Sequence, residues 1–254
     1  MNENAPGPRP AATVMLAAER AGAIEYFMVR RSAASAFLPG MYVFPGGAVD
    51  DGDRALAGRR LLRAPQSNSA GREGGGAEFE VAALREAFEE AGILLARVAG
   101  GRDLGARFES LATSARRALL DGTQSFEQLL EANDLVLDGR HLVYFSRWVT
   151  PPSEPRRFDT RFYLALAPAD QVATACEIET LDGVWIAPRE ALRRHTAGDM
   201  PMIFPTLMHL RRLESFTSFE DLTAFAATKP IAAVNPVMSG ERNFAVPAEL
   251  EDKW

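Results

Sequence analysis

Three glutamates at helical spacing are the feature that most limits how this chain can fold. Glu86, Glu89 and Glu90 lie at positions i, i+3 and i+4, so their carboxylates share one face of a helix. An apolar stripe lies about opposite this face, taking roughly 100° per residue: Val81, Leu84, Phe88 and Ala91. We therefore predict a helix over about residues 78–91 that buries one side and directs three negative charges outward from the other.

The acidic face has two interpretations. Many soluble helices carry a solvated acidic face, although like charges at this spacing destabilise a helix by a few tenths of a kcal/mol per pair. A divalent cation would convert that repulsion into coordination, and carboxylate oxygens suit Mg²⁺ or Mn²⁺, ions that usually hold substrate phosphates. Gly46 and Gly47, which follow Phe44-Pro45, let the backbone approach a ligand closely and so favour the metal. Gly92 is predicted to end the helix in a left-handed conformation.

The same residues resemble the signature of the Nudix (MutT-like) hydrolases, G-x5-E-x7-R-E-U-x-E-E-x-G-U, where U is aliphatic. The second half of the signature is matched by Arg85, Glu86, Glu89, Glu90, Gly92 and Ile93, with Ala87 at the first U position. The resemblance implies an α/β class fold, a Nudix-type α/β/α sandwich around a mixed sheet with extra helical insertions. It also implies metal-dependent hydrolysis of a phosphoanhydride.

The first half of the signature departs from the family. The position eight residues before Arg85 is Ala77, where the signature requires glutamate, and the position six residues after Gly47 is Asp53. Either Asp53 or Glu78 is a candidate to replace that glutamate. Residues 54–77 form an insertion rich in glycine and other helix breakers, for which we predict a flexible loop.

The interrupted signature is similar to that of the peroxisomal coenzyme A diphosphatase subgroup. Further similarity lies in the segments 37–47, 157–165 and 185–192. The resemblance implies cleavage of CoA or acyl-CoA to 3′,5′-ADP and (acyl-)4′-phosphopantetheine. ADP-ribose or NADH is the alternative substrate, and a nucleotide-sensing Nudix protein without catalytic activity is the alternative of another class.

The resemblance also implies roles for individual residues. Glu86, Glu89 and Glu90 would hold Mg²⁺, or Mn²⁺, together with the Gly47 carbonyl, and Glu86 would be either a ligand or the base that activates water. Arg85 would orient the acids, and Glu179 is a candidate later ligand.

Substrate phosphates need cationic partners, and five arginines are available: Arg30, Arg31, Arg156, Arg157 and Arg161. Arginine's planar fork suits phosphate, and we expect one or two of the five, with Arg31 and Arg161 as candidates, to bind the substrate. Candidates to stack on adenine are Phe37, Tyr42 and Phe158.

The formal charge of −6 argues against a general nucleic-acid binder. The single cysteine, Cys176, excludes an internal disulfide, and we expect it to pack in the core. No apolar run is long enough to span a membrane, and neither end carries a targeting signal. A cytoplasmic enzyme acting on a small nucleotide is expected, and a homodimer, common among Nudix proteins, stays open.

The rest of the pattern predicts one domain over residues 1–254. Strands are expected near 11–18, 24–31, 41–44, 141–149, 159–167 and 183–187, and later helices from Pro188 and near 204–214 and 218–228. Residues 97–133 are predicted to be a helical insertion that either shapes one wall of the substrate pocket or packs against the sheet. Residues 229–254 are predicted to be a surface or mobile tail.

Overall fold

The computed structural model describes residues 7–35, 37–59, 62–63, 76–100, 104–105, 107–176, 180–239, 243–251 and 254, and only the backbone of 62, 63 and 107. The strands are β1 (Arg9–Arg20), β2 (Ala23–Arg31), β3 (Tyr42–Val43), β4 (Gly46–Ala48), β5 (Leu62–Arg63), β6 (Ala96–Val98), β7 (Leu135–Asp138), β8 (Val143–Val149), β9 (Phe158–Leu166), β10 (Thr180–Ile186), β11 (Ala233–Val234), β12 (Val237–Met238) and β13 (Phe244–Ala245). The helices are α1 (Asp51–Ala57), α2 (Ala77–Ala91), α3 (Arg107–Ser110), α4 (Arg116–Leu120), α5 (Phe126–Ala132), α6 (Pro188–Ala197), α7 (Phe204–Leu213) and α8 (Phe219–Thr228). A π-helical stretch, Leu111–Ala115, joins α3 to α4.

A mixed sheet in the order β10-β2-β1-β9-β8-β11 forms the centre of the fold, with β3 paired to β2 and β4 paired to β1. Strand β1 runs antiparallel to β2 and β4 but parallel to β9. The first two predicted strands are confirmed, and they form a hairpin that turns at Ala21 and Gly22. The short strands β5, β7 and β6 form a separate sheet.

Alternating side chains of β1 divide the core into two layers. Ala12, Val14 and Leu16 pack with the buried side chains of α2 on one face of the sheet. Met15 and Ala17 pack on the other face with buried side chains of α6, α7 and α8. Helices therefore cover both faces of a mixed sheet, which confirms the predicted α/β class and the α/β/α sandwich.

The helical insertion packs on α2. Phe126 stacks on Phe88 of α2 with ring centroids 6.5 Å apart, and a reciprocal capping box between Ser125 and Gln128 starts α5. None of the described residues of 97–133 lies among those that line the large cavity described below. The insertion therefore supports the acidic helix instead of forming a pocket wall.

Two boundaries differ from the sequence predictions. Residues 54–57 belong to α1, because a reciprocal capping box between Asp50 and Asp53 starts a helix where a loop was predicted; residues 64–75 of that insertion lie outside the described residues. Most described residues of the predicted surface tail, 229–254, are exposed or half-buried, but the tail is anchored at two points. Strand β11 extends the main sheet beside β8, and Trp254 is 2% exposed and packs edge-on against Trp148 at 4.9 Å. The tail carries apolar anchors that its irregular spacing concealed.

Cys176 is buried, as expected for a cysteine in the core. No helix within the described ranges is long and apolar enough to cross a membrane.

His209 on α7 is a fully buried histidine that the sequence did not single out. Its Nδ1 lies 2.7 Å from the Pro205 carbonyl, so this nitrogen donates, and Nε2, 2.6 Å from Ser146 Oγ, accepts from the hydroxyl. Phe162 stacks on the ring at 4.1 Å. Burial lowers the pKa of His209 to about 3, assisted by the positive charge of Lys229 and Arg212 and opposed by the bond to Pro205.

This burial makes stability depend on pH. In the unfolded chain His209 has a pKa of about 6.5 and binds a proton below that pH, whereas in the folded chain it stays neutral. The unfolded state therefore gains protons as the pH falls, and stability decreases with it. We expect that, between about pH 6 and 4, this one group lowers the free energy of unfolding by up to about 1.4 kcal/mol per pH unit. Urea unfolding of the wild type and of His209→Gln across this range measures the effect. The variant should show the shallower slope, and equal slopes would contradict the prediction.

Candidate active site

Arg85 on α2 lies at the centre of the acidic cluster. Its Nε and Nη2 each donate to Asp53, at 2.9 Å, in a bidentate pair. Nη1 donates to Glu86 at 2.8 Å and to Glu89 at 2.9 Å, and Nη2 also donates to the Ala48 carbonyl at 3.1 Å. Burial alone would lower the pKa of Arg85, but the bond to Asp53 and the charges of Glu86 and Glu89 raise it. One guanidinium thus holds three carboxylates and strand β4 in fixed positions.

Asp53, not Glu78, is the acid that the fold brings to Arg85. Helix α1 carries Asp53 in its first turn, where the side chain also accepts from the backbone N–H of Asp50 at 3.0 Å. Asp53 is 1% exposed, and burial raises its pKa despite the bonds from Arg85. Glu78 lies in the first turn of α2, with its carboxylate beside Gly76. Helix α1 therefore holds the shorter acidic side chain, Asp53, against Arg85, although the insertion separates the two residues in sequence.

Backbone groups of β4 approach the cluster closely. The Gly46 N–H donates to Glu90 at 2.9 Å. A Cβ at Gly47 would collide with the Glu86 carboxylate, and a Cβ at Gly46 would lie 2.6 Å from the Ala12 carbonyl. Both positions need glycine, as the sequence predicted, because strand and helix touch here without space for a side chain.

The acidic face is buried, which corrects the prediction that its charges point outward. Glu86 and Glu90 are 7% and 3% exposed, and the Glu89 side chain is 20% exposed. Burial raises the pKa of Glu86 well above its usual range, and the negative charges of Glu90 and Glu89 add to this while Arg85 opposes it. Burial likewise raises the pKa of Glu89. The β4 backbone and α1 cover this side of the helix, which the amphipathic pattern did not indicate.

The charge of the cluster suits a divalent cation. Five carboxylates (Asp50, Asp53, Glu86, Glu89 and Glu90) pair with two guanidinium groups, Arg85 and Arg31, the latter 3.9 Å from Glu90. Fully ionised, these groups leave an excess of three negative charges. Within the described residues no group of three or more His, Cys, Asp or Glu side chains forms a ready-made metal cage, since Arg85 lies among the carboxylates. The hard oxygen donors and the excess negative charge nevertheless fit Mg²⁺ or Mn²⁺.

Arg116 fixes the end of the acidic helix. It comes from the helical insertion, and its Nη2 donates to the Glu89 carbonyl and to the Thr174 carbonyl, both at 2.9 Å. Gly92 ends α2 with φ of 69°, as predicted, and a Cβ there would lie 2.8 Å from Arg116. The insertion and the loop before β10 thus hold the carbonyl end of α2.

A cavity of about 560 Å³ adjoins the cluster through Gly46, Gly47 and Arg31. Its other lining residues include Arg9 and Arg156 together with many aromatic and aliphatic side chains. The cavity is therefore cationic and apolar, beside an acidic centre, which suits a substrate that carries both phosphates and an organic group.

The fold separates the predicted substrate-binding residues. Arg31 lines the cavity and donates to the Phe37 carbonyl at 3.0 Å. Phe37 and Phe158 also line it, with ring centroids 5.2 Å apart. Arg161 does not: it lies over the Phe79 ring at 3.8 Å on the α2 face of the sheet, paired with Asp159 at 2.8 Å. Successive residues of a strand point to opposite faces of the sheet. Phe158 and Arg161 of β9 therefore lie on opposite faces, and only Phe158 lines the cavity.

Other predicted and overlooked residues complete the comparison. Tyr42 lies under Arg30, at 5.8 Å, and is not part of the lining. Glu179 lies outside the described residues. Sequence reasoning missed the following lining residues: Arg9, Trp148, Phe162, Phe204 and Phe244. Arg9, Phe158 and Phe162 share one face of two parallel strands, a signal that strand pairing would have revealed but composition did not.

An α/β/α sandwich whose buried helix carries R-E-x-x-E-E beside a Gly-Gly strand defines the class as a Nudix hydrolase. The chain belongs to the family of the NUDT19 Nudix domain, whose sequence model matches residues 66–213, more than half of the chain.

Relatives and a solved structure agree with this assignment. The acyl-coenzyme A diphosphatase NUDT19 of Gallus gallus is 29% identical over 273 residues, which cover 88% of this chain and 72% of that protein. The protein of the same name from Homo sapiens is 28% identical over 234 residues, covering 78% of this chain and 62% of that one. The crystal structure of a Nudix hydrolase from Alicyclobacillus acidocaldarius has a TM-score of 0.74 at 31% identity, covering 85% of this chain and 96% of that chain.

Proposed function

We propose that this Nudix hydrolase cleaves the phosphoanhydride of CoA and acyl-CoA to 3′,5′-ADP and (acyl-)4′-phosphopantetheine, with Mg²⁺ as its metal and Mn²⁺ as a substitute. The observation that carries the proposal is the contact between the carboxylate cluster and a cavity with both cationic and apolar lining. The relatives named acyl-coenzyme A diphosphatase support the choice of substrate.

We infer the roles of the individual residues from their positions. Glu89, Glu90 and the Gly47 carbonyl would hold the divalent ion, which neutralises diphosphate charge and orients water when bound. Arg85 fixes Glu86 and Glu89 in place, and the Gly46 N–H does the same for Glu90. These contacts prepare the carboxylates before the substrate arrives, so little reorganisation is needed during reaction.

Hydrolysis adds one water across the anhydride. The water oxygen bonds to phosphorus, the bridging P–O bond breaks, and the second phosphate leaves with the bridging oxygen. We assign the proton of the water to Glu86, because this carboxylate lies against Gly47, which lines the cavity, and burial raises its pKa well above the usual range. Arg31, which lines the cavity 3.9 Å from Glu90, is placed to bind the substrate diphosphate.

The first test is product analysis by mass spectrometry after incubation of the purified protein with CoA or octanoyl-CoA and Mg²⁺. We expect 3′,5′-ADP and the matching 4′-phosphopantetheine, loss of turnover with excess chelator, and recovery with Mg²⁺. Hydrolysis of ADP-ribose or NADH with both CoA compounds left intact would reject the substrate. Tight nucleotide binding with no hydrolysis would reject catalysis in favour of a sensor.

A further inference from the structure

The floor of the cavity is one face of the parallel strands β1 and β9. Arg9 and Thr13 of β1 lie in register with Phe158 and Phe162 of β9, and all four residues line the cavity. Four residues along a strand span about 13 Å. The Arg9 and Phe158 pair therefore marks one end of the floor, and the Thr13 and Phe162 pair marks another.

The first end is cationic and aromatic. Arg9 is exposed and forms no ion pair with an acid among the described residues. Arg156 also lines this end, two residues before Phe158, whose ring packs against Phe37. Glu154 is the acid in the lining. Two guanidinium groups beside a pair of aromatic rings suit a phosphorylated nucleoside.

The second end is apolar. Phe162 of β9 and Trp148 of β8 both pack on His209, with ring centroids 4.1 and 5.4 Å away. Trp148 meets Phe204 at 6.0 Å, and Phe204 meets Phe244 at 6.2 Å. The lining residues from the start of α7 and from the C-terminal segment after β11 carry no charge: Ile203, Phe204, Pro205, Thr206, Pro236 and Phe244. An apolar wall of this kind favours a hydrocarbon and offers no partner to a phosphate.

The acidic centre lies across the strands from the second end and along β1 from the first end. Gly46, which holds Glu90, pairs with Thr13, at the level of Phe162. The apolar wall begins two strands across, about 10 Å away, and the cationic end begins about 13 Å along the strands. A substrate whose diphosphate lies at Gly46 can therefore extend one arm toward each end.

We propose that the Trp148, Phe162, Phe204 and Phe244 wall is the subsite for the acyl-pantetheine arm and that Arg9 and Arg156 bind the 3′-phosphoadenosine arm, so that the enzyme selects acyl-CoA over free CoA. The proposal rests on the proposed function. It adds that chain-length preference is set by residues from 148 onward, outside the glutamate-bearing helix.

The test compares kcat/KM for CoA, hexanoyl-CoA and octanoyl-CoA. In the wild type each added methylene should raise kcat/KM by up to about fourfold until the wall is covered. Phe204→Ala should lower the ratio of kcat/KM for octanoyl-CoA to kcat/KM for CoA about tenfold. The matched control is Phe216→Ala, a half-buried aromatic that packs on Phe225 and lies outside the cavity lining; it should preserve the acyl preference.

Two further measurements make the proposal sharper. Calorimetry with octanoyl-4′-phosphopantetheine should show an affinity about tenfold weaker in Phe204→Ala than in the wild type, without turnover. Arg9→Ala should reduce the preference for CoA over 3′-dephospho-CoA about tenfold and keep the acyl preference.

Failure of this inference is distinct from failure of the proposed function. If the wild type hydrolyses neither CoA nor octanoyl-CoA, the proposed function is wrong. If it hydrolyses both with equal efficiency, or Phe204→Ala changes both equally, the function stands and the subsite assignment is wrong.

Discussion

Replacing Glu89 by glutamine is expected to lower kcat by about 10³-fold, because a metal ligand contributes several kcal/mol of transition-state stabilisation. Glu89 is the most exposed of the three glutamates, with its side chain 20% exposed, and Arg85 holds one of its oxygens at 2.9 Å. The substitution keeps the shape of the side chain and removes its charge. Steady-state kinetics on CoA with Mg²⁺, together with calorimetric titration of Mg²⁺ alone, measure the loss.

Stability should move in the opposite direction. The cluster carries excess negative charge, and burial already raises the pKa of Glu89, so the neutral amide is expected to leave the melting temperature unchanged or slightly higher. Glu78→Gln is the matched control on the same helix, because Glu78 contacts Gly76 instead of Arg85. It should retain kcat within about threefold. Full activity of Glu89→Gln, or equal losses in the two variants, would refute the assignment.

Local spacing explains why much of this site was accessible from the sequence. The i, i+3, i+4 glutamates, Gly92 and the Gly46-Gly47 pair each express a constraint within one short segment, and the structure places them together. Arg31 was one of five arginines considered for their chemistry, and nothing near it in sequence indicates that Glu90 lies 3.9 Å away.

Long-range packing explains what the sequence concealed. The spacing of the signature left Asp53 and Glu78 as alternatives for its first glutamate. The path of α1, which brings Asp53 to Arg85, is not visible in that spacing. The exposure of the glutamates was predicted wrongly, because helical periodicity describes one helix and not the strand that covers it. Trp254 and His209 lie in the core through contacts between segments far apart in the chain, which no local pattern encodes.

Arg85→Met is expected to lower the free energy of unfolding by about 3–5 kcal/mol, because it leaves several buried carboxylates without their cation. Asp53 would lose a bidentate partner while only 1% exposed, and Glu86 and Glu89 would each lose one hydrogen bond. The matched control is Arg54→Met on α1. Arg54 pairs with an Asp51 side chain that is fully exposed, so its loss should change stability by no more than about 0.5 kcal/mol.

A double variant separates charge imbalance from lost packing. If uncompensated charge is the main cause, adding Asp53→Asn to Arg85→Met should restore at least about 1 kcal/mol, whereas Asp53→Asn alone should destabilise the protein, because it weakens the pair with Arg85. Urea unfolding of the wild type, the two single variants and the double variant closes the cycle. Additive losses would show that Arg85 acts through its packing, and an Arg85→Met protein as stable as Arg54→Met would contradict its place at the centre of the cluster. We thus expect a loss of stability from Arg85→Met and no loss from Glu89→Gln, and both results have one cause. The fold concentrates more negative charge on α2 than the cations of the cluster neutralise, and this excess charge is the condition for holding a divalent ion there.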